Sequence, residues 1–307
     1  MRVYVAGIHG MVGSAVARHF RAEGHEVLGR PSRELNLLDR DATFAELKAT
    51  QPDALVIAAA KVGGIGANST FPVDFLTNNL QIQGNLIDGA HAANIERVLF
   101  LGSSCIYPRM APQPIEEESL LTGPLEETNE AYAIAKIAGI KLINAYRKQF
   151  GRRWISAMPT NLYGPNDNFD FETSHVLPAL IAKFHEAKTT GNDSVTLWGD
   201  GTPLREFLHV DDLAKACLVL LEKYDDSVAI NVGSGIEVSI RELAEMIQKT
   251  VGFTGDIEFD TSRPNGTPRK ILSIKRITSL GWNPQIQLEE GLASTYEWFK
   301  QNAHSKV

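Results

Sequence analysis

Five short apolar segments alternate with longer segments of helical pattern, and this alternation restricts the fold more than any other feature. The expected strands cover residues 3–6, 26–29, 54–59, 97–102 and 154–158, and the clearest helices cover residues 13–23, 75–93 and 131–150. Continuously apolar strands separated by helices indicate a parallel sheet that is covered on both faces. Such an open α/β sheet binds its ligands beyond the carboxyl ends of its strands.

The first expected strand runs directly into the segment AGIHGMVGSAVARHF, in which Gly7, Gly10 and Gly13 are spaced three apart. A strand, a glycine turn and a helix suit phosphate binding, because small residues let the backbone approach a pyrophosphate and the helix N-terminus offers unpaired N–H groups. Glycines also occur in tight turns without a ligand, so the position in the first βα unit carries the argument. We therefore expect a dinucleotide site in a Rossmann-type, doubly wound parallel sheet.

The end of the second expected strand bears on the choice between NAD and NADP. An acidic residue there would bind the ribose 2′-hydroxyl of NAD, whereas this chain has Arg30, followed by Pro31, Ser32 and Arg33. Basic residues suit the 2′-phosphate of NADP, although a solvated basic turn would have the same sequence. Asp39 is a candidate for hydrogen bonding to the amino group of adenine. We expect NADP(H) as the cofactor.

Tyr132 and Lys136 stand four residues apart near the start of the expected helix 131–150, a spacing that places both on one helix face. A phenol, with a pKa near ~10, is a poor acid–base group at neutral pH until a nearby cation favours its ionised form. This spacing is common by chance. The dinucleotide loop and a serine turn at Ser103, at the end of the fourth strand, make the combination specific.

Composition and charge exclude several classes of function. The chain is 43 % hydrophobic and 22 % charged, and its net charge of −7 argues against a basic stripe for nucleic acid. No apolar run approaches the ~18 residues of a membrane span, and the N-terminus has no long apolar core of a signal peptide. Cys105 and Cys217 have neither disulfide-framework nor metal-ligand spacing, so we expect a cytoplasmic protein without a metal site.

Several segments resemble the extended short-chain dehydrogenase/reductase family, and the resemblance covers nearly the whole chain. They read AAAKVGGI, FLGSSCIYP, AYAIAKIAGIK, MPTNLYGPNDNF, SHVLPAL, REFLHVDD and NGTPRK. The resemblance implies a triad of Ser103, Tyr132 and Lys136, in which the tyrosine protonates a ketone oxygen, the serine hydrogen-bonds that oxygen and the lysine holds the nicotinamide ribose. The cofactor-binding residues expected from the loop and the resemblance are Gly7, Ile8, His9, Gly10, Met11, Val12, Gly13, Arg30, Asp39, Leu101, Gly102, Ser103, Ser104, Lys136, Pro159, Thr160, Asn161, Leu162 and His175.

Within that family the chain is most similar to epimerase–reductases that convert GDP-4-keto-6-deoxy-D-mannose to GDP-L-fucose. A ketone at C4 acidifies the protons on C3 and C5, and inverting either carbon through an enolate requires one proton acceptor and one proton donor. The resemblance implies Cys105 as the base and His175 as the acid, and a thiol of pKa near ~8.5 reaches both protonation states at neutral pH. For Cys217 we prefer the commoner role of a small buried hydrophobe.

A GDP-sugar carries two negative charges on its pyrophosphate, so this acidic chain needs local cations. The resemblance implies Lys183, Trp198 and Arg205 in the substrate site, although Arg205 could instead form a structural ion pair with Asp211 or Asp212. The full set of substrate-binding candidates is Lys183, Trp198, Arg205, Asn265 and Lys270.

Three positions depart from the family pattern. His9 stands where the family often has an arginine available to the 2′-phosphate, so the preference for NADP is expected to be weaker than usual. Asn265 replaces an aspartate, which puts the affinity for nucleotide hydroxyls in doubt. Ala131 replaces a proline before the tyrosine, with little expected effect.

Two other functions stay open on the sequence. A sugar-nucleotide 4-epimerase or 4,6-dehydratase would retain NAD, but a dehydratase needs a carboxyl pair after the triad residue, where this chain has Ser104 and Cys105. A non-catalytic dinucleotide-sensing protein would be expected to lack part of the triad, and here the triad is complete.

The pattern predicts two domains. Residues 1–160 would form an NADP-binding Rossmann domain with a returning segment at about 205–235, and residues 161–204 and 236–307 a smaller α/β substrate-binding domain. In this later part, residues 208–223 and 239–251 are expected helices and residues 229–232 an expected strand. The resemblance further implies a homodimer with a four-helix interface, to which helices 75–93 and 131–150 would contribute.

Overall fold

The computed structural model describes residues 1–171, 173–263 and 265–302. Its strands, in chain order, are β1 Arg2–Ala6, β2 Glu26–Leu28, β3 Ala54–Ile57, β4 Arg97–Leu101, β5 Ile155–Pro159, β6 Asn161–Tyr163, β7 Ser194–Trp198, β8 Leu204–His209, β9 Ile230–Val232, β10 Glu237–Ser239, β11 Asp256–Asp260 and β12 Arg269–Lys270. Its helices are α1 Met11–Ala22, α2 Arg40–Thr50, α3 Ile65–Thr70, α4 Pro72–Ala92, α5 Glu130–Phe150, α6 Val176–Thr190, α7 Val210–Lys223, α8 Ile240–Val251, α9 Lys275–Ser279 and α10 Leu288–Asn302. Short 3₁₀ turns cover Ser104–Ile106, Glu117–Ser119 and Glu127–Asn129.

A parallel sheet of six strands, in the order β2–β1–β3–β4–β5–β9, forms the centre of the described structure. Strands β3, β4 and β5 are buried along their whole length, because helices cover both faces of the sheet. Helices α1 and α7 contribute to the hydrophobic core on one face, and α2, α4 and α5 to the core on the other. The expected Rossmann-type doubly wound α/β fold is confirmed.

The strand order reverses at β1, and this reversal locates the ligand site. The chain passes from β1 outward to β2 and then returns across β1 to β3, so the connections diverge and open a crevice at the carboxyl ends. The loops after β1, β3 and β4 all lie at this edge, since the three strands are adjacent and parallel. The strands and helices expected in the first 160 residues are confirmed, with ends that differ by a few residues.

A smaller region is built around β8, which pairs with β6, β10 and β12, while β7 pairs with β11. Helices α6, α8 and α10 contribute to a third hydrophobic core in this region. The last residues of the expected second domain, 303–307, lie outside the described residues. Among the helices that the structure describes, none is long and apolar enough to cross a membrane.

The helix predicted over residues 208–223 begins two residues later, at Val210, so its predicted start is wrong. Residue 208 and His209 end strand β8, where His209 is paired with Tyr163 of β6. The His209 side chain then accepts a hydrogen bond from the Asp211 backbone N–H at 3.2 Å and caps α7. Strand pairing therefore overrides a run of residues that also suits a helix. The expected strand 229–232 and helix 239–251 are confirmed as β9 and α8.

A buried carboxylate, Glu206 on β8, joins the central sheet to the smaller region. Its oxygens accept hydrogen bonds from the backbone N–H of Gly235, beyond β9, at 2.7 Å and of Leu272, beyond β12, at 3.0 Å. The residue has no exposed surface, and a Cβ on Gly233 would collide with its Oε1. Burial raises the pKa of Glu206, and the N–H donors oppose that shift. Glu206 therefore satisfies backbone groups from two separate segments.

We expect Glu206→Gln to lower the free energy of unfolding by about 2 kcal/mol, because an amide NH₂ replaces an oxygen that a buried backbone N–H requires. Urea denaturation followed by circular dichroism measures this change. The matched control is Glu237→Gln on β10, which removes an ion pair with the exposed Arg269 at 2.7 Å and should cost less than ~1 kcal/mol. Equal denaturation midpoints for the two variants would contradict the role assigned to Glu206.

Candidate active site

The glycine loop after β1 approaches neighbouring backbone so closely that a side chain has no room. Gly7 has a φ of 85°, and a Cβ on it would lie 2.9 Å from the backbone nitrogen of Ala59. The Gly10 N–H donates to the Gly7 carbonyl at 2.9 Å, and a Cβ on Gly13 would overlap that carbonyl. Helix α1 begins after Gly10 without a side-chain cap, which leaves its first N–H groups for a phosphate. The loop fits a dinucleotide pyrophosphate.

The other residues of this loop divide between core and surface. Ile8 is buried, and Met11 and Val12 are partly buried against the same hydrophobic core. His9 is exposed at the tip of the loop.

Arg30 and Asp39, both expected to contact the cofactor, are held in local contacts. The Nε of Arg30 donates to Glu46 Oε1 on α2 at 3.0 Å, and this hydrogen bond raises the pKa of Arg30. The Asp39 carboxylate accepts from the Ala42 backbone N–H at 3.0 Å and caps α2. A 2′-phosphate at this position would have to compete with Glu46 for Arg30.

Ser103, Tyr132 and Lys136 meet where the end of β4 faces the first turns of α5. The Ser103 hydroxyl lies close enough to the Tyr132 phenol to lower its pKa. The Lys136 ammonium donates to the Leu101 carbonyl at 2.9 Å and lies 5.8 Å from the centre of the Tyr132 ring. Gly102, between Leu101 and Ser103, is fixed by a hydrogen bond from its N–H to the Ala157 carbonyl at 2.8 Å. The three residues expected to form the triad are therefore together.

Burial sets the protonation of this cluster. It raises the pKa of Tyr132, an effect that the nearby Cys105 thiol strengthens and the Ser103 hydrogen bond opposes. It lowers the pKa of Lys136 to about 8. The phenol therefore carries its proton at neutral pH, with a cation one helical turn away. That is the state a proton donor needs.

Cys105 lies in the 3₁₀ turn that follows Ser103, next to Tyr132. Its backbone N–H donates to Ser103 Oγ at 3.3 Å, and its Sγ accepts from the Asn129 side-chain amide, also at 3.3 Å. Ser104, which lies between Ser103 and Cys105 in the chain, is buried. Cys217, by contrast, has no exposed surface, and burial raises its pKa to about 12. The expectation that Cys217 is a packing residue is consistent with this burial.

His175 stands at the N-cap of α6, at the end of a loop that crosses the carboxyl edge of the sheet. The loop is tied to the segment after β3, where the Gly64 N–H donates to the Thr173 carbonyl at 2.8 Å. It is tied to α1 by Asn166, whose side-chain amide donates to Ser14 Oγ at 3.1 Å. The residue is exposed, yet neighbouring protein atoms desolvate its imidazole and lower the pKa of His175.

Residues 159–162 lead from β5 to β6 along the same edge. The Thr160 N–H donates to the Val232 carbonyl at 3.0 Å, and the Asn161 side-chain amide donates to the Glu206 carbonyl at 2.9 Å. Pro159 ends β5, and Leu162 packs on the core shared by α1 and α7. Asn161 therefore joins the two regions, in addition to any contact with a ligand.

Arg205 and Lys270 are register partners on β8 and β12, so two cations lie side by side. Burial lowers the pKa of Arg205, and the nearby Glu126 carboxylate opposes that shift. Asp211 pairs with Arg18 at 2.6 Å, and Asp212 accepts from Lys215 at 3.2 Å.

The remaining substrate candidates differ in their surroundings. Trp198 is 67 % exposed at the end of β7, with the Arg263 guanidinium 5.1 Å from the centre of its ring. Lys183 is half-buried on α6. The Asn265 Oδ1 accepts from the Asp200 backbone N–H at 2.9 Å, so Asn265 stabilises the turn after β7.

Sequence reasoning missed two residues that the structure brings close to the predicted site residues Cys105 and Arg205. Asn129 contacts the Cys105 sulfur, and Glu126 pairs with Arg109 at 3.4 Å and accepts from Thr267 Oγ1 at 3.0 Å. An asparagine immediately before a helix is a recognisable N-cap signal, but nothing in the local sequence indicates that its amide turns toward a sulfur. Glu126 lies in a loop without any periodic pattern.

Comparisons with known proteins agree with this geometry. The model of the NAD dependent epimerase/dehydratase family matches residues 3–233. A putative GDP-L-fucose synthase 2 of Arabidopsis thaliana is 53 % identical over 99 % of this chain and 93 % of its own length. A GDP-L-fucose synthase of Escherichia coli is 52 % identical over 98 % of this chain and 97 % of its own.

Among solved structures, the GDP-L-fucose synthetase of Naegleria fowleri bound to NADP is similar, with a TM-score of 0.91 and 29 % identity. The match covers 99 % of this chain and 95 % of that one. With a parallel sheet, a glycine loop and a Ser–Tyr–Lys cluster also in place, the chain belongs to the NAD dependent epimerase/dehydratase family and, within it, to the GDP-L-fucose synthases.

Proposed function

We propose that this protein converts GDP-4-keto-6-deoxy-D-mannose to GDP-L-fucose, by epimerisation at C3 and C5 followed by reduction at C4 in one site. The observation that carries the proposal is the cluster at the start of α5. There the Tyr132 phenol lies close to the Ser103 hydroxyl and the Cys105 thiol, and the buried Lys136 ammonium lies 5.8 Å from the centre of its ring. The cluster offers a proton donor for a ketone oxygen and, next to it, a thiol for an acidic C–H group.

Epimerisation needs an acceptor and a donor of protons near the C4 ketone. Cys105 removes a proton from C3 or C5 and leaves an enolate, whose oxygen the Ser103 and Tyr132 hydroxyls stabilise by hydrogen bonding. His175 returns a proton to the carbon. Desolvation lowers the pKa of His175, so its imidazolium is a stronger acid than an ordinary histidine.

Reduction uses the same hydroxyls in a second role. NADPH supplies the hydride when it is bound. Tyr132 delivers its proton to the C4 oxygen, Ser103 holds that oxygen, and the Lys136 cation stabilises the phenolate that remains. The glycine loop and the N-terminus of α1 would hold the pyrophosphate of the cofactor, and residues 159–162 would border its nicotinamide.

The substrate pyrophosphate would bind at Arg205 and Lys270, because these adjacent cations lie on one strand pair. Lys183 and the exposed face of Trp198 would extend this site toward the nucleotide. Asn265 would act through the turn that it stabilises. A dehydratase is less well supported, because Ser104 and Cys105 occupy the positions after Ser103.

The arrangement of the cores supports the expected division into a cofactor-binding domain, residues 1–160 with 205–235, and a substrate-binding domain formed by the rest. We also propose a homodimer through α4 and α5. On the outer face of these packed helices, Val73 is 71 % exposed, Ile134 42 % and Leu80 39 %. A second copy would remove this apolar face from water. Two unpaired thiols are compatible with a cytoplasmic location.

Single substitutions should affect the epimerisation and the reduction separately. With GDP-4-keto-6-deoxy-D-mannose in deuterated water and no NADPH, wild type should incorporate deuterium at C3 and C5. Cys105→Ser should incorporate deuterium at least ~10²-fold more slowly, because it lacks the thiol that acts as the base. Tyr132→Phe should retain exchange at a reduced rate and lose NADPH oxidation, because it lacks the proton for the C4 oxygen. Mass spectrometry and absorbance at 340 nm, the nicotinamide band, measure the two steps.

Wild-type protein that shows neither exchange nor NADPH oxidation would overturn the proposed function. Exchange that persists undiminished in Cys105→Ser would overturn the role of the thiol alone. Turnover of a UDP-hexose without added cofactor would instead favour the 4-epimerase alternative.

The rate of NADPH oxidation should fall as the pH rises through about 8, because burial lowers the pKa of Lys136 to about 8 and the ammonium is lost above it. The rate is measured at saturating substrate between pH 6 and ~10. Lys136→Arg keeps its charge throughout this range, so its slower reaction should not show the decline. A wild-type rate that is level up to pH ~10 would rule out Lys136 as the titrating group.

Leu80→Glu should convert the dimer to monomers, because it places a charge in the apolar face formed by α4 and α5. Size-exclusion chromatography with light scattering measures the mass. Met110→Glu is the matched control, since Met110 is 79 % exposed but lies in a loop away from both helices. A wild-type monomer at micromolar concentration would refute the interface.

A further inference from the structure

Asn129 occupies the N-cap of α5 but does not cap the helix with its side chain. An asparagine at this position normally uses its side-chain oxygen to accept a hydrogen bond from the first turn of the helix. Here the amide Nδ2 donates instead to Cys105 Sγ at 3.3 Å. The Oδ1 of the same amide is buried and has no hydrogen-bond partner among the described residues. The side chain therefore gives up a helix cap and directs its donor at the sulfur.

An N–H donor next to a sulfur favours the charged form of the thiol, because the thiolate is the stronger acceptor. The N-terminus of α5, for which Asn129 is the N-cap, adds a positive potential near the Cys105 sulfur. Of the titratable groups on the elements packed against Cys105, Tyr132 lies near the thiol and Lys136 lies one helical turn beyond Tyr132. Glu127 and Glu130 flank Asn129 but are exposed to solvent. Asn129 is neutral, and its amide is in direct contact with the Cys105 sulfur.

We propose that Asn129 is a positioning residue that holds Cys105 as the thiolate that removes the C3 and C5 protons of the substrate. The inference rests on the proposed base role of Cys105 and extends it to the residue that maintains the base. It assigns Asn129 a function in epimerisation, through Cys105, and no direct contact with the reacting carbons.

Two variants separate this role from helix capping. Asn129→Asp keeps the size and the N-cap preference of asparagine but places a negative charge beside the sulfur. Asn129→Ser keeps the N-cap preference with a side chain too short to reach the sulfur. Asn144→Asp makes the same charge change on α5, about 22 Å further along the helix, and is the matched control.

The first measurement is the rate at which iodoacetamide alkylates Cys105 between pH 5 and ~10, localised by peptide mass spectrometry. It requires no substrate, and the fully buried Cys217 does not interfere. The pH midpoint of alkylation should rise by about half a unit in Asn129→Ser and by more than ~1 unit in Asn129→Asp. The second measurement is deuterium exchange at C3 and C5, whose pH midpoint should shift in the same order. Asn144→Asp should match wild type in both.

Alkylation midpoints that agree among wild type and both Asn129 variants would overturn the proposal. A downward shift in Asn129→Asp would overturn it as well. If alkylation shifts as expected while wild type exchanges no deuterium, Asn129 sets the state of the thiol but the proposed epimerisation fails, so the two conclusions are tested separately.

Discussion

A buried ammonium group determines the arrangement of the candidate active site. Lys136 is 3 % exposed and donates to the Leu101 carbonyl at 2.9 Å, with the faces of Phe100 and Tyr132 as its other neighbours. None of the described carboxylates forms an ion pair with this ammonium, and burial of its charge lowers the pKa of Lys136 to about 8. That contact fixes the start of α5 against the end of β4. A pKa that burial shifts in this way is characteristic of functional sites.

The relative positions of the candidate site residues follow from the contact between Lys136 and Leu101. Ser103 and Cys105 follow Leu101 within four residues, Tyr132 lies one turn before Lys136 on α5, and Asn129 is the N-cap of that helix. Fixing the helix against the strand end therefore brings two hydroxyls, a thiol and an amide together from segments that are distant in sequence. The loop that ends at His175 completes the crevice, because its backbone is hydrogen-bonded to Gly64 after the neighbouring strand.

Contacts within the protein surround several residues that were predicted to bind the cofactor or the substrate. Arg30 has the right charge for a 2′-phosphate, but Glu46 on the next helix lies within hydrogen-bonding distance. Asp39 and Asn265 carry polar groups suited to a nucleotide, but each satisfies a nearby backbone N–H group. The partner of Asp39 is local, because a short polar side chain readily bonds to neighbouring backbone. The partner of Asn265 is brought to it by the pairing of segments that are distant in sequence.

The sequence by itself determined the sheet, the glycine loop and the Tyr132–Lys136 pair, because each depends on a period or spacing within one segment. Continuous apolar strands require burial on both faces, and four residues make one turn of a helix. Only the tertiary structure decided that the Asn129 amide meets the Cys105 sulfur, that Glu206 joins two regions and that α7 begins at Val210. These features depend on contacts between segments far apart in the chain, whose relative position is set by packing of the whole fold and leaves no local pattern.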